Sequence, residues 1–561
     1  MCKNSKENIL SFLENQTNKY NNRIALGMRN DYGWSEFTYN GLSSLSKNIA
    51  SYLIDELKVK RQEHIAIISE SKIEFGAAFF ASVIAGTTFI PLDIKLTIHE
   101  ITSIMSNCNP TTLFISNKYL HLVDKIKEEI PSLKNIILLD DNHKESRYIS
   151  IYNMPSAKVR PFRHRNLDSN ALIIYTSGTT GKPKGVQTTF RNLLSQIKDL
   201  QFELGHIFKK DEKINTLSIL PMNHLFELTV GFATFLSMGY SIYYTKSLRP
   251  KDVLGVMKDK KIKFMCTVPS FFKMLKIQFE SELNKQSNFK KMIYNLKYHY
   301  IAKFLPFRAL KKRLFKDIHS AFGNNFYGFI SGGAPMDVEM GKYFNRIGIN
   351  VFQGYGLSEA SPVVAFNLTD KNNLKTVGRP LKSFKVKIDS STKELLVKGP
   401  AVMKGYYLQE DLTKEVIDEN GWLHTGDIAK IDNKNQVFIT GRIKNMIVLS
   451  GGKKVFPEEV EAVIEQSEFV KEVCVLSNLK KTGEKKGTEE VCAVVCPKAE
   501  LYENYDDTTV ENITLVDIKK KLLKLTQYKR PSNIIISKEE LPKTATRKIK
   551  RKEVIELIGA K

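Results

Sequence analysis

The chain has 561 residues, of which 42% are hydrophobic and 26% charged, the composition of a soluble globular protein too long for one ordinary core, so two or more domains are expected. A formal charge of +25 favours an anionic partner such as a nucleotide, a nucleic acid or a membrane surface, although a lysine-rich surface kept for solubility gives the same number. Six cysteines (Cys2, Cys108, Cys266, Cys474, Cys492, Cys496) carry no CxxC spacing, which argues against both a disulfide framework and a zinc site.

In chain order, MCKNSKENILSFLENQ reads as an early polar helix without the apolar centre of a signal peptide, and with the cysteine pattern it points to the cytoplasm. Strand-like runs then alternate with helix-length stretches: HIAIIS (64–69), TTLFIS (111–116), NIILLD (135–140), ALIIY (171–175) and KFMCTVP (263–269). Two uncharged runs, 75–92 and 228–245, reach the length of a membrane span. Their glycines, threonines and, in the first, Pro91 favour a buried helix passing into a strand. From 394 the texture is β-rich (ELLVKG, QVFITG), and the remainder after GRIKN (441–445) suits a small α+β domain. That remainder predicts a helix at PEEVEAVIEQS, strands at VKEVCVLS and EEVCAVVCP, and a basic helix at VDIKKKLLKLTQYKR. Cys492 and Cys496 are expected to share one face of a strand.

The stretch YTSGTTGKPKG (175–185) follows a predicted strand and combines glycine turns, hydroxyls and two lysines, a pattern able to aim successive N–H groups at one anion. It is not a Walker A loop, since Gly178 and Gly181 are two residues apart and Lys182 precedes Pro183. Alone it is equally a solvated turn. Further polar, glycine-bearing or lysine-rich stretches follow: PMNHLFE (221–227), SGGAP (331–335), QGYGLSE (353–359), HTGDIAKID (424–432), GRIKNMIVLSGGKKVFPEEVE (441–461) and LPKTATRKIKRKEV (541–554).

Together, in this order, these motifs resemble those of the adenylate-forming superfamily, which includes acyl-CoA synthetases, luciferase and peptide-synthetase adenylation domains. The resemblance covers essentially the whole chain and is closest to long-chain fatty acid–CoA ligases. It implies an α/β fold: a large N-terminal domain of β-sheets flanked by helices plus a β-rich subdomain (1–441), a small mobile α+β C-terminal domain (442–561), and a site at their interface. It implies ATP and Mg²⁺ as cofactors and CoA as co-substrate. The phosphate loop would be Thr176, Ser177, Gly178, Thr179, Thr180, Gly181 and Lys184. Gly333, Ala334 and Pro335 would line the adenine pocket and Tyr355 would stack on the base. Ser358 would contact phosphate where relatives more often carry Thr, and Glu359 would hold Mg²⁺, work suited to one hard carboxylate with waters. Asp427, helped by Arg442, would accept hydrogen bonds from the ribose. On bland readings Glu359 is a helix-start charge and Asp427 stabilises a TGD turn.

His224 would match the family's aromatic gate beside the acyl site, though a lone His among apolar residues is usually a packed one. Lys548 would bridge carboxylate and triphosphate as charge moves to the leaving pyrophosphate. The family pattern is similar to LPKTxxGKIxR, and here Arg547 stands where relatives have Gly, so Lys550 or Arg551 could compete. Lys444 falls at the family's domain hinge, and Ser450, Gly451 and Gly452 would border a narrow thiol tunnel, where close backbone approach tolerates no Cβ.

Residues 285–316 carry ten Lys or Arg, no Asp or Glu, and interleaved aromatics, a pattern suited to anionic lipid or to a solvated basic face. The expected substrate is therefore a membrane-resident fatty acid, with CoA or acyl carrier protein as acceptor, at the cytoplasmic face of a membrane. A nucleic-acid-binding protein is the reading from another class; no recognisable module supports it and nucleic acid is not an expected partner. A lipid-binding scaffold without turnover would have no use for the phosphate loop, Glu359, Asp427 and Lys548.

Overall fold

The computed structural model describes residues 9–31, 33–141, 147–155, 166–176, 183–208, 212–368, 373–449, 453–479, 489–543 and 549–559, within two compact units, one of 1–385 with 397–423 and one of 386–396 with 424–561. The fold is α/β as expected.

In the first unit, an eight-stranded sheet runs in the order Gly405–Tyr406, Lys184–Thr189, Asn170–Thr176, Thr88–Pro91, His64–Ile68, Thr112–Ile115, Asn135–Leu138 and Ile149–Ser150. A nine-stranded sheet runs in the order Arg379–Pro380, Val363–Asn367, Asn350–Gly356, Gly328–Ser331, Phe264–Thr267, Asn215–Ser218, Ser241–Tyr244, Ile24–Asn30 and Gly33–Thr38. The five predicted strands of this unit are all present, each short and apolar because both of its faces are covered.

Both membrane-length runs are buried helix followed by strand. Ile73–Ala85 is a helix buried almost throughout, capped by Gly86 in the left-handed region, and leads into Thr88–Pro91. It lies between the sheets: a Cβ on Gly76 would stand 2.8 Å from Leu26, and Phe79 meets Phe89 edge-on at 5.7 Å. Apolarity around the whole helix thus reflects burial on every side. The second run is a π-helix, Glu227–Thr234, then Phe235–Ser237 and the strand Ser241–Tyr244. Among the described residues no helix is long and apolar enough to cross a membrane.

Lys385–Ile388, Glu394–Lys398, Leu423–Ile431 and Val437–Arg442 form a four-stranded sheet, most of whose residues fall in the second unit. Val470–Leu479, Glu489–Pro497 and Asn533–Ile536 form a three-stranded sheet beside the helices Pro457–Ile464, Asp507–Leu522 and Arg551–Leu557. Alternate residues of its strands feed two separate cores: Val473, Val475, Val491, Ala493 and Val495 on one face, Cys474, Leu476, Cys492 and Val494 on the other. This is why VCAVVC is apolar without alternation, and Cys492 and Cys496 are both buried, as expected of one strand. The basic helix differs from its prediction. It starts at Asp507, because Asp506 caps the Thr509 N–H at 2.8 Å, and ends at Leu522. Beyond it Arg530 donates to the Leu525 carbonyl at 2.9 Å and holds the chain in a turn.

Arg551 clamps this unit. Its guanidinium donates to both Glu461 oxygens and, at 2.6 Å, to the Val475 carbonyl, which holds its pKa well above the ordinary value despite burial. Arg551→Met leaves the Glu461 carboxylate without its main partner and should cost about 2 kcal/mol. Faster hydrogen exchange in Val470–Leu479 and Glu489–Pro497 than in the first-unit strands is the expected readout.

Candidate functional site

The predicted phosphate loop spans the connection of a hairpin. Asn170–Thr176 pairs antiparallel with Lys184–Thr189, in a register that sets Thr176 opposite Lys184. Ser177, Gly178, Thr179, Thr180 and Gly181 lie outside the described residues, so only the hairpin's flanks are described. Lys184–Thr189 is also paired with Gly405–Tyr406, Tyr406 lying opposite Val186.

That second pairing introduces a residue the sequence reading missed. The Tyr406 hydroxyl donates to Glu359 at 2.8 Å, and the Lys184 ammonium lies 5.3 Å from the centre of the Tyr406 ring. The backbone repeats the connection, since Met403 N–H donates to the Glu359 carbonyl at 2.8 Å and Tyr407 N–H to the Gly185 carbonyl at 2.7 Å. Burial first, and the Glu359 carboxylate second, push the Tyr406 phenol well above its ordinary pKa, so it remains a donor. Glu359 sits in a single 3-10 turn, Ser358–Ala360, too short for the helix-start role. The expected Ser358 lies beside it, half-buried. Among the described residues no group of three His, Cys, Asp or Glu side chains could hold a metal ion. A lone half-buried carboxylate oriented by a phenol instead fits Mg²⁺ that arrives with a nucleotide and keeps phosphate and water ligands.

The remaining first-unit residues sit at or after the carboxyl ends of strands of the nine-stranded sheet, where ligands bind in open α/β sheets. Gly328–Ser331 leads into Gly333, Ala334 and Pro335, and Gly333 has φ +80°, a conformation that a side chain would strain. Tyr355 lies near the end of Asn350–Gly356, paired opposite Ala365. His224 follows Asn215–Ser218, its N–H donating to the Pro221 carbonyl at 3.1 Å. Two residues on, the Phe226 ring packs so closely on Gly332 that a Cβ there would stand 3.0 Å from it. The HLFE and SGGAP motifs are therefore in direct contact.

In the second unit Asp427 is buried and accepts from Arg442 Nε at 2.7 Å, the two being register partners of adjacent strands. Thr425, Gly426 and Asp427 lie within the strand Leu423–Ile431 rather than in a turn, and other groups hold them there: Gly426 N–H donates to Glu394 at 2.7 Å, and Thr425 Oγ1 to the Leu395 carbonyl at 2.7 Å. His424 Nδ1 lies 2.9 Å from the same Glu394 carboxylate, a contact that sequence spacing did not signal. Lys444 is exposed in the 3-10 turn Ile443–Asn445. Ser450, Gly451, Gly452 and Lys548 lie outside the described residues. Of the two cations weighed against Lys548, Arg551 is committed to Glu461 as above, and Lys550 is ion-paired with Glu553 at 2.6 Å.

Glu227, three residues after His224, is fully buried with neither oxygen in hydrogen-bond geometry. A Cβ on Gly231 would stand 2.4 Å from one of them. Burial pushes its carboxyl up to about 8, and the nearby Ser218 hydroxyl offsets little of this. A carboxyl raised in the folded state contributes most below its unfolded value and progressively less as pH rises to its folded one. Wild type should therefore lose stability between about pH 5 and 8, by roughly 1.4 kcal/mol per pH unit at the steepest, and Glu227→Gln should abolish the slope in urea denaturation. Tyr406→Phe, which frees Glu359 from its donor, should raise KM for MgATP about five- to tenfold in a pyrophosphate-release assay.

Comparison with known proteins identifies the family. Residues 13–407 match the AMP-binding enzyme family and residues 459–548 its C-terminal domain. The long-chain-fatty-acid–CoA ligase of Salmonella typhimurium is 25% identical over 562 residues, 92% of this chain and 89% of that protein. The Arabidopsis thaliana chloroplastic long-chain-fatty-acid–[acyl-carrier-protein] ligase AEE15 is 27% identical over 576 residues, 88% and 76%. Among solved structures, Bacillus subtilis o-succinylbenzoate CoA synthetase with its acyl-adenylate superposes at a TM-score of 0.74, with 23% identity and 97% of each chain covered. The chain belongs to the AMP-binding enzymes, ligases that activate an acid as its adenylate.

Proposed function

We propose that the protein activates a long-chain fatty acid with ATP and Mg²⁺ and passes the acyl group to CoA, releasing AMP and pyrophosphate. The observation that carries the reading is the convergence of Lys184, Tyr406 and Glu359 at the flank of the phosphate-loop hairpin. An ammonium and an oriented carboxylate side by side suit a metal–triphosphate, the cation drawing on phosphate oxygens and the carboxylate on the metal. When bound, Mg²⁺ neutralises phosphate charge that would repel the attacking carboxylate.

In this reading Thr176 and Ser177 to Gly181 cradle the phosphates with Lys184, and Ser358 adds a hydroxyl. Gly333, Ala334 and Pro335 receive adenine and Tyr355 stacks on it. Asp427, fixed by Arg442, receives the ribose hydroxyls. Lys548 neutralises the departing pyrophosphate, a role strengthened by the commitment of Arg551 to Glu461. Residues 442–561 then turn about Lys444 so that Ser450, Gly451 and Gly452 face the thiol, with His224 guarding the acyl site. The names of the relatives support a long acyl chain, and the carrier-protein ligase among them supports acyl carrier protein as the alternative acceptor. ATP and CoA supply argues for the cytoplasmic face of a membrane, with residues 285–316 toward anionic lipid.

Pyrophosphate release across acids from acetate to oleate, with and without CoA, tests the reading. Turnover with oleate that requires CoA is expected; turnover restricted to short acids would overturn the substrate, and one stoichiometric burst unaffected by CoA would move the acceptor to a carrier protein. Lys548→Ala should lower acyl-adenylate formation by at least about a hundredfold while sparing thioester formation from supplied adenylate.

A further inference from the structure

The basic segment is amphipathic on two opposite sides. Its helical turns run Asn288–Leu296, Lys297–Ile301 and Ala302–Phe304, then break at Pro306 before Arg308–Leu314. One side is anchored. Tyr294 and Tyr298 stack on each other, the Tyr294 hydroxyl lies 3.1 Å from that of Tyr343, Arg346 lies 4.8 Å from the Tyr298 ring centre, and Ala302 is fully buried. These residues join the apolar cluster that includes Met265, Phe329 and Val351, on the strands whose ends carry the candidate site.

The other side presents Phe289, Met292, Leu296, Tyr300, Phe304 and Phe307, every one more than half exposed and Phe304 78% exposed. Their spacing is 3, 4, 4, 4 and 3 residues. A spacing of 4 drifts around an α-helix, but the middle turn, Lys297–Ile301, is a π-turn, whose wider repeat keeps the row on one side as far as Phe304, while Phe307 is exposed in the non-helical stretch beyond it. Such a row is far beyond the scattered apolar residues of an ordinary surface. It is interleaved with Lys290, Lys291, Lys297 and Lys303 and continues to Lys311, Lys312 and Arg313, with no carboxylate in the segment.

We infer that this outward face inserts its apolar row into the headgroup–acyl boundary of an anionic bilayer, the flanking lysines meeting lipid phosphates. Charge decides for lipid over a second copy of the same face, because two such faces would bring their cations together. Apolar insertion with basic flanks is the interfacial-helix pattern, in which both parts add to binding. The inner row fastens the face to the site strands, so a docked enzyme stays close to a membrane-resident acid. That use rests on the long-chain reading; the docking does not.

The test is sedimentation of the full chain with phosphatidylcholine vesicles, with and without phosphatidylglycerol, in the absence of ATP and acid. Wild type should bind the anionic vesicles at least about tenfold more tightly than the neutral ones, and added salt should weaken this binding. Phe289→Ser/Leu296→Ser/Phe304→Ser/Phe307→Ser and, separately, Lys290→Glu/Lys291→Glu/Lys297→Glu/Lys303→Glu should each lose that binding while keeping adenylation of octanoate. Wild type that ignores anionic vesicles, an apolar-row variant that binds unchanged, or a stable dimer dispersed by the serine substitutions would each overturn the inference. Failure of oleate to support pyrophosphate release, with vesicle binding intact, would instead overturn the substrate reading alone.

Discussion

The hydrogen bond from Tyr406 to Glu359 is the contact on which the site's geometry depends. It joins segments far apart in the chain: the edge strand Gly405–Tyr406, the 3-10 turn at Ser358–Ala360, and, through the tyrosine ring, Lys184 at the flank of the phosphate-loop hairpin. Glu359 ends up oriented because its backbone carbonyl is also held, by Met403 N–H. A free carboxylate in this position would spend part of its time turned toward solvent. One fixed by a buried phenol is held in a single orientation, so any ligand it meets costs less side-chain entropy to bind.

Beneath that contact the two large sheets are kept apart by helix. Ile73–Ala85 carries small residues where the packing is tightest, as Gly76 against Leu26 and Phe232 illustrates, and phenylalanines where it must reach the eight-stranded sheet. The π-helix Glu227–Thr234 shares this layer, since Phe232 contacts Phe79 and Phe80. Glu227 is out of place in such company. Held at the start of that helix over Gly231, it is a carboxyl stored in apolar surroundings, next in sequence to the Phe226 that packs on Gly332. The helical layer and the SGGAP motif are thereby coupled by adjacent residues of one motif.

Much of the fold was legible because its signals are local. A strand covered on both faces must be short and apolar, and those at 64–68, 112–115, 135–138 and 264–267 were found on that ground. The strand before the glycine-rich loop was legible as the apolar run at 171–175, whereas its antiparallel partner Lys184–Thr189 was not, since KGVQTT carries little apolar signal. The start of Asp507–Leu522 was not, because an aspartate cap and a threonine-rich first turn carry little apolar periodicity. Nor was the π-turn at Lys297–Ile301, whose effect is to align a row of side chains rather than to change composition.

The order of the motifs alone determined the family and the nucleotide chemistry that goes with it, because the resemblance rests on residue types and their sequence along the chain, and it named the residues proposed for the site. Tertiary structure decided which neighbours act on them. Tyr406 reaches Glu359 because its short edge strand pairs with a strand more than two hundred residues away in sequence, Tyr406 lying opposite Val186. Arg551 was separated from the cations that could serve the triphosphate by its commitment to Glu461, and one apolar row of the basic segment was assigned to the core and the other to the surface. Each of these depends on direction in space, which a residue's type does not encode.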